Sequence, residues 1–352
     1  SNTLANLAER QIRTGFAFLD HDAGFFIGEG VISFDAADSY GRAFIVGLLN
    51  TLQVALIGIA LATALGAAIG IARLSKNWLV ARLASIYVEG VRNVPLLLQL
   101  FLWYSIVTGA LPESREAFNP LPGVYLSKSG LKLPVPVSDP AYLWAGVAFA
   151  AGVVASLLFR RWARARQAAT GAQIPVLWSS VALIVGLPIL AWTAGGAPTA
   201  MDVPVWQKFR FVGGSEFTPE FLALLFGLTT YTAGFIAEIV RAGILAVERG
   251  QTEAALAVGL RRGLVLRLVI LPQALRVIVP PLTSQYLNLT KNSSLAVAIG
   301  YPELVSIANT TLNQTGQAIE CIAIIMAVYL TVSLTISMSM NWYNKRIALV
   351  ER

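Results

Sequence analysis

Residues 251–272 read Gln251-Thr-Glu-Ala-Ala-Leu-Ala-Val-Gly259, then nine residues, then Val269-Ile-Leu-Pro272. This charged island sits between strongly apolar segments, the arrangement of a membrane chain that offers a loop to a partner outside the bilayer. Thr252 suits an N-cap and Glu253 the positive end of a helix. The spacing therefore predicts a short helix on which Ala254, Ala255 and Ala257 keep the surface small. Gly259 ends that helix or lets another backbone come close. Arg261, Arg262 and Arg267 hold the segment at an anionic membrane surface, and Pro272 marks re-entry into apolar sequence.

The flanking sequence decides the class. Of 352 residues, 56% are hydrophobic and 13% charged, with a mean hydropathy of +0.67. That composition excludes a soluble domain, and the chain is too long for a single anchor. Stretches free of Asp, Glu, Lys and Arg run over 43–72, 93–112, 140–159, 167–201, 221–237, 277–290 and 321–344. A helix needs roughly 20 apolar residues to cross about 30 Å of hydrocarbon, so most of these suffice alone. The expected fold is an all-α polytopic membrane protein with about seven transmembrane helices.

A net charge of +7 would fit a nucleic-acid binder, but its distribution argues for topology instead. When loops are assigned alternately to the two sides, one side holds Arg73, Lys76 and Arg82, the run Arg160, Arg161, Arg164 and Arg166, six arginines from Arg241 to Arg276, and Lys345, Arg346 and Arg352. These are sixteen of the 26 basic residues; the opposite loops carry five. The bias orients the first set toward the cytoplasm and leaves no reason to invoke nucleic acid. One cysteine, Cys321, and one histidine, His21, leave no intrachain disulfide and no Cys or His metal cluster. Neither a catalytic nor a metal site is expected. No Gly-x4-Gly-Lys-Ser/Thr run occurs, so no cofactor is assigned to this chain; if ATP and Mg drive it, another subunit binds them.

Residues 1–40 contain no full span and hold six acidic against two basic residues, which suits an N-terminal segment outside the cytoplasm. Something that placed it there is expected upstream, either a signal peptide or a further transmembrane helix. Residues 41–111 supply the first two core helices, the second read as 89–111 with Pro95 in its first turn. A basic turn and interfacial helix, with Trp78 as anchor, lie between them. Six prolines punctuate 112–140, reading as an outer loop with a short strand near 124–137; two spans and a second outer loop follow. Residues 218–352 hold a span, the loop 248–272, a span broken at Pro280-Pro281, a polar outer segment from 292 to 317 and a last span.

Several polar residues stand out against this background. Glu238 and Arg241 lie three apart on one helix face near the inner boundary, where an ion pair offsets the cost of two ionisable groups. A role for Glu238 at a gate is the sharper reading. Asn288, Thr290, Lys291 and Asn292 cluster after the proline pair and offer both donors and acceptors to a zwitterion. Asn93 and Gln99 are weaker candidates for a substrate path, since a lone intramembrane amide more often bridges helices.

The loop resembles the EAA motif of bacterial ABC importer permeases: Glu253, Ala254, Ala255, Gly259, Leu271 and Pro272 match in register, with Val269 where Ile is usual. The runs Phe235-Ile-Ala-Glu-Ile-Val-Arg-Ala-Gly243 and Leu289-Thr-Lys-Asn-Ser-Ser-Leu295 are similar to the polar amino acid (histidine/glutamine) group. Smaller members of that group pass almost directly from the second span to the helix before the loop. Residues 112–217 therefore look like an insertion carrying two extra peripheral helices, as in general L-amino-acid permeases. The resemblance implies the transmembrane-domain fold of a type I ABC importer in a bacterial inner membrane. It implies as partners a second, different permease chain, two cytoplasmic ATPases gripping Glu253 to Arg262, and a periplasmic amino-acid-binding protein. Two rivals remain. An ion-coupled secondary transporter would have inverted repeats and a central coupling carboxylate, and a membrane scaffold would not transport.

Overall fold

The computed structural model describes residues 15–347; residues 1–14 of the acidic N-terminal segment, the side chain of Arg346, and Arg352 lie outside the described part. The chain divides into two units. One comprises the residues up to Glu116, Ser127–Leu131 and everything from Phe217 onward; the other comprises Ala117–Leu126 and Lys132–Glu216.

In the first unit, α1 (Tyr40–Ala72) starts at Ser39, whose hydroxyl accepts the Arg42 N–H. After a basic turn, α2 (Trp78–Asn93) starts at Asn77, capping Leu79 and Val80, and α3 (Leu96–Gly109) follows at an angle of 109°. The single unbroken helix read over 89–111 is thus two pieces, the first of which already begins at Trp78. The residue before a proline is pushed out of helical geometry, so the chain leaves the helix at Val94 and resumes it only after Pro95. The other helices of the unit, in chain order past the second unit's two (α4 and α5, below), are α6 (Pro219–Leu245), α7 (Arg249–Ala257), α8 (Arg262–Ile299), α9 (Leu304–Thr315) and α10 (Ala318–Ile347).

α6 is the spine. In its most apolar window 67% of residues are buried, against 6% for α10, and it packs on α1, α2, α3 and α8. Small residues on α1 permit the approach: a Cβ on Gly66 would meet Ile236 at 2.7 Å, and one on Gly70 would meet the Ala237 carbonyl oxygen at 2.6 Å. Membrane helices associate by such backbone proximity because lipid offers no hydrophobic gain between them. Polar ties supplement it: Tyr87 Oη donates to the Thr230 carbonyl at 2.8 Å, and Thr63 Oγ1 donates to Tyr286 Oη at 3.0 Å.

α8 runs through Pro280 and Pro281 without interruption, which corrects the break expected there. Each proline removes a donor to the residue four back, but its fixed φ is helical, and both rings lie on the exposed side. The irregularity comes earlier, as a widened π turn at Leu266–Ile270. The segment read as a polar outer loop is also more ordered than expected. α9 buries Leu304, Ile307 and Ala308 against Phe18, Ala23, Tyr40 and Phe44.

In the second unit, α4 (Pro140–Thr170) and α5 (Val176–Ala194) are each long and apolar enough to span a bilayer. Asp139 caps α4 by accepting the Ala141 N–H at 2.7 Å. Short antiparallel pairings follow the proline-rich sequence, Val135 opposite Asp202 and Trp206 opposite Phe211 among them. Among the described residues six helices qualify as spans, or seven if the bent pair α2 and α3 counts as one.

Candidate functional site

The loop between α6 and α8 is built as one compact turn. α6 ends at Leu245 and α7 begins at Arg249, with Glu248 as its N-cap residue and no side-chain capping bond. Thr252 is therefore inside the helix and not its cap, and Glu253 sits in the middle turn. The backbone re-enters helix three residues after α6 ends, before the hydroxyl is reached. Gly259, with φ of +81°, closes α7: its N–H donates to the Leu256 carbonyl at 2.9 Å and the Leu260 N–H to the Ala255 carbonyl at 3.2 Å. Left-handed backbone of this kind costs a residue bearing a Cβ about 1–2 kcal/mol.

Only Ala255 on α7 is buried, at 7% exposure, where the helix packs on the π turn of α8. Glu253, Ala254, Leu256, Val258, Gly259, Arg261 and Arg262 are all exposed. The loop thus presents a carboxylate, two guanidinium groups and two apolar side chains on a scaffold fixed from below. Leu271 and Pro272 directly follow the π turn inside α8, and Pro272 supplies no N–H to the carbonyls of that turn.

Glu238 is the centre of a charge cluster, of which the sequence suggested half. Arg241 Nη2 lies 2.6 Å from Glu238 Oε1, and Arg73, at the end of α1, pairs with the other carboxylate oxygen. Arg73 Nε also donates to Ser85 Oγ on α2 at 3.3 Å. One carboxylate therefore ties three helices together. The signal for Arg73 was a single cation on the last turn of an apolar helix, a place where charge needs a partner.

The four polar candidates on α8 divide by face. Asn288 and Lys291 are exposed and three apart, with half-buried Asn292 beside them, whereas Thr290 is buried and its hydroxyl donates to the Tyr286 carbonyl at 2.9 Å. Thr290 is thus part of the packing. Asn93, the last residue of α2, is exposed. Gln99 is 7% exposed, and its Nε2 donates to the carbonyls of Val91 at 2.8 Å and Val94 at 2.9 Å. It satisfies the backbone carbonyls freed by the bend. A cavity of about 650 Å³ between α1, α6 and α8 is lined mainly by apolar side chains, Ala67, Ile71, Ile236 and Ile278 among them, and by none of these polar candidates.

Sequence reasoning missed a buried carboxylate. Glu303 is fully buried and caps α9, accepting the N–H groups of Val305 at 2.9 Å and Ser306 at 2.8 Å. Tyr329 Oη on α10 lies 3.3 Å away, and Thr51 on α1 accepts the neighbouring Leu304 N–H at 3.2 Å. Burial pushes the Glu303 carboxyl up to about 7, outweighing these hydrogen bonds, which pull it down. The available signal was a lone acid directly before an apolar helical run, where a carboxylate meets the positive end of a helix.

A buried spine helix, glycine-mediated packing and an exposed short helix joining two spans define a polytopic permease-like membrane domain. The chain belongs to the family of binding-protein-dependent transport system inner membrane components, which it matches over residues 58–349. It is 52% identical to the general L-amino acid transport system permease protein AapQ of Rhizobium johnstonii, over all of this chain and 88% of that one. It is equally similar, at 52%, to the putative amino-acid ABC transporter permease protein YhdX of Escherichia coli, over all of this chain and 90% of that one. The glutamate/glutamine/aspartate/asparagine permease protein BztB of Rhodobacter capsulatus is 45% identical over all of this chain and 90% of its own length. A crystal structure of an amino acid ABC transporter with histidines superposes with a TM-score of 0.51 at 21% identity, covering 87% of this chain and 95% of that one. That likeness concerns the fold.

Proposed function

We propose that this chain is the membrane-spanning subunit of an ATP-driven importer for general or polar L-amino acids in a bacterial inner membrane. The observation that carries the reading is the end-to-end similarity to permeases named for that transport. The chain works with a second, different permease chain, two cytoplasmic ATPases and a periplasmic amino-acid-binding protein. Its loop 248–272 faces the cytoplasm, as the Lys/Arg bias argues. An ATPase seats on exposed Glu253, Leu256, Val258, Arg261 and Arg262. Because α7 is fastened to the start of α8 through Ala255, movement of the ATPase turns α8 and its exposed face at Asn288 and Lys291, with Asn292 beside them. ATP binding selects between inward and outward states only insofar as the ATPase pair grips the two differently.

The test is uptake of a panel of labelled amino acids into vesicles holding the complete transporter, its binding protein and internal ATP. ATP-dependent uptake is expected, and Glu253→Ala with Val258→Glu should abolish it and reduce ATPase co-purification. Uptake that survives ATP depletion and collapses with an ionophore would instead favour an ion-coupled carrier.

A further inference from the structure

In the second unit, α4 and α5 form an antiparallel pair with a seam of small residues. A Cβ on Gly152 would meet the Leu183 carbonyl oxygen at 2.4 Å, Ser156 and Ser180 are buried, and Arg160 Nε donates to Ser180 Oγ at 3.2 Å. The rest of the pair is apolar and open: 11% and 6% of the two apolar windows are buried. Where the chain turns between the helices, α4 carries Arg160, Arg161, Arg164 and Arg166, all four exposed. The Arg166 guanidinium lies 5.3 Å from the Trp162 ring centroid, and Trp178 at the start of α5 is 73% exposed. No Asp or Glu occurs between Asp139 and Asp202, so this helix pair supplies no carboxylate to its arginines.

We propose that this end of the α4–α5 pair is a binding site for anionic phospholipid headgroups. Arg160 stands twenty residues beyond Pro140, which at about 1.5 Å per residue is roughly the 30 Å thickness of the hydrocarbon layer. The arginine turn therefore lies at the level of the lipid phosphates. Guanidinium groups match phosphate oxygens in pairs, tryptophans prefer the same interface, and the exposed apolar flanks accept the acyl chains. A topological signal alone requires only cations in a loop. Here the cations sit on a continuous helix, are all arginine, and are bracketed by aromatic rings. Clusters of this size next to a span concentrate anionic lipid.

The test is native mass spectrometry of the complete transporter, exchanged into an equimolar mixture of phosphatidylglycerol and phosphatidylcholine. The wild type should retain phosphatidylglycerol by about fivefold over phosphatidylcholine. Arg161→Gln, Arg164→Gln and Arg166→Gln, each leaving three cations to guide insertion, should each cut that preference by at least about half, and the triple change should bring it to parity. The triple arginine-to-lysine change keeps the charge and should keep most of the preference. Equal retention of both lipids by the wild type would overturn the proposal, as would an unchanged preference in the glutamine variants. Retention of an acidic protein in place of the anionic lipid would overturn it too.

Discussion

Glu238 accepts two guanidinium groups from two helices, and Arg73 passes the link on to Ser85. Removing its charge leaves both arginines near the membrane boundary without their counter-ion, a loss on the order of 1–3 kcal/mol. Glu238→Gln should lower the melting temperature of the purified complex by a few degrees and reduce uptake more than Arg241→Lys does. A variant as stable as the wild type would reduce the cluster to a surface pair. Glu303 makes a different prediction, in pH. Its folded value of about 7 is above the ordinary carboxylate value, so the folded protein binds a proton that the unfolded chain releases. Its contribution to stability is full below the ordinary carboxylate pKa and is lost as pH rises toward 7. The wild type should lose several degrees of melting temperature between pH 5 and 7.5 relative to Glu303→Gln; parallel curves would rule this out.

At the scale of the element, the bend between α2 and α3 rests on one amide. Gln99→Leu would leave the Val91 and Val94 carbonyls without their side-chain donor in a low-dielectric setting, costing about 1–3 kcal/mol each. Lower yield of folded protein and faster proteolysis at Val94 should follow, with Gln99→Glu no better. Sequence placed the helices well where pattern dominates: α1 begins within a residue of position 41, and no charged residue interrupts it from Ala43 to Ala72. It placed them poorly where one residue's geometry competes. Pro95 moved a helix start, Pro280 and Pro281 failed to break one, and Thr252 lost its capping role to the short link after Leu245. Of the candidate site, the exposed surface at Glu253, Arg261 and Arg262 followed from spacing. The contacts of Glu238 with Arg73, and of Glu303 with Tyr329, join residues too far apart in sequence for any pattern to reveal.

For the molecule as a whole, orientation is the testable consequence of the Lys/Arg bias. A cysteine at position 251, with Cys321 changed to Ser, should resist an impermeant maleimide in sealed cells and react in inverted vesicles; the reverse result would turn the whole chain over. Mass and mechanism meet in α8, which runs from Arg262 to Ile299 with a π turn near its start and a 3-10 stretch from Ser293 to its end. Such a turn holds one residue more than the regular helix around it, and that surplus has a consequence for angular phase. Deleting Leu268 converts the turn to ordinary α-helix and leaves the azimuth of Lys291 relative to α7 nearly unchanged. Deleting Ala274 has no surplus to absorb it and rotates everything beyond by about 100°. Transport that tolerates the first deletion and not the second would show that the π turn is a one-residue clutch, setting how rotation at the loop is indexed to the polar face some twenty residues away.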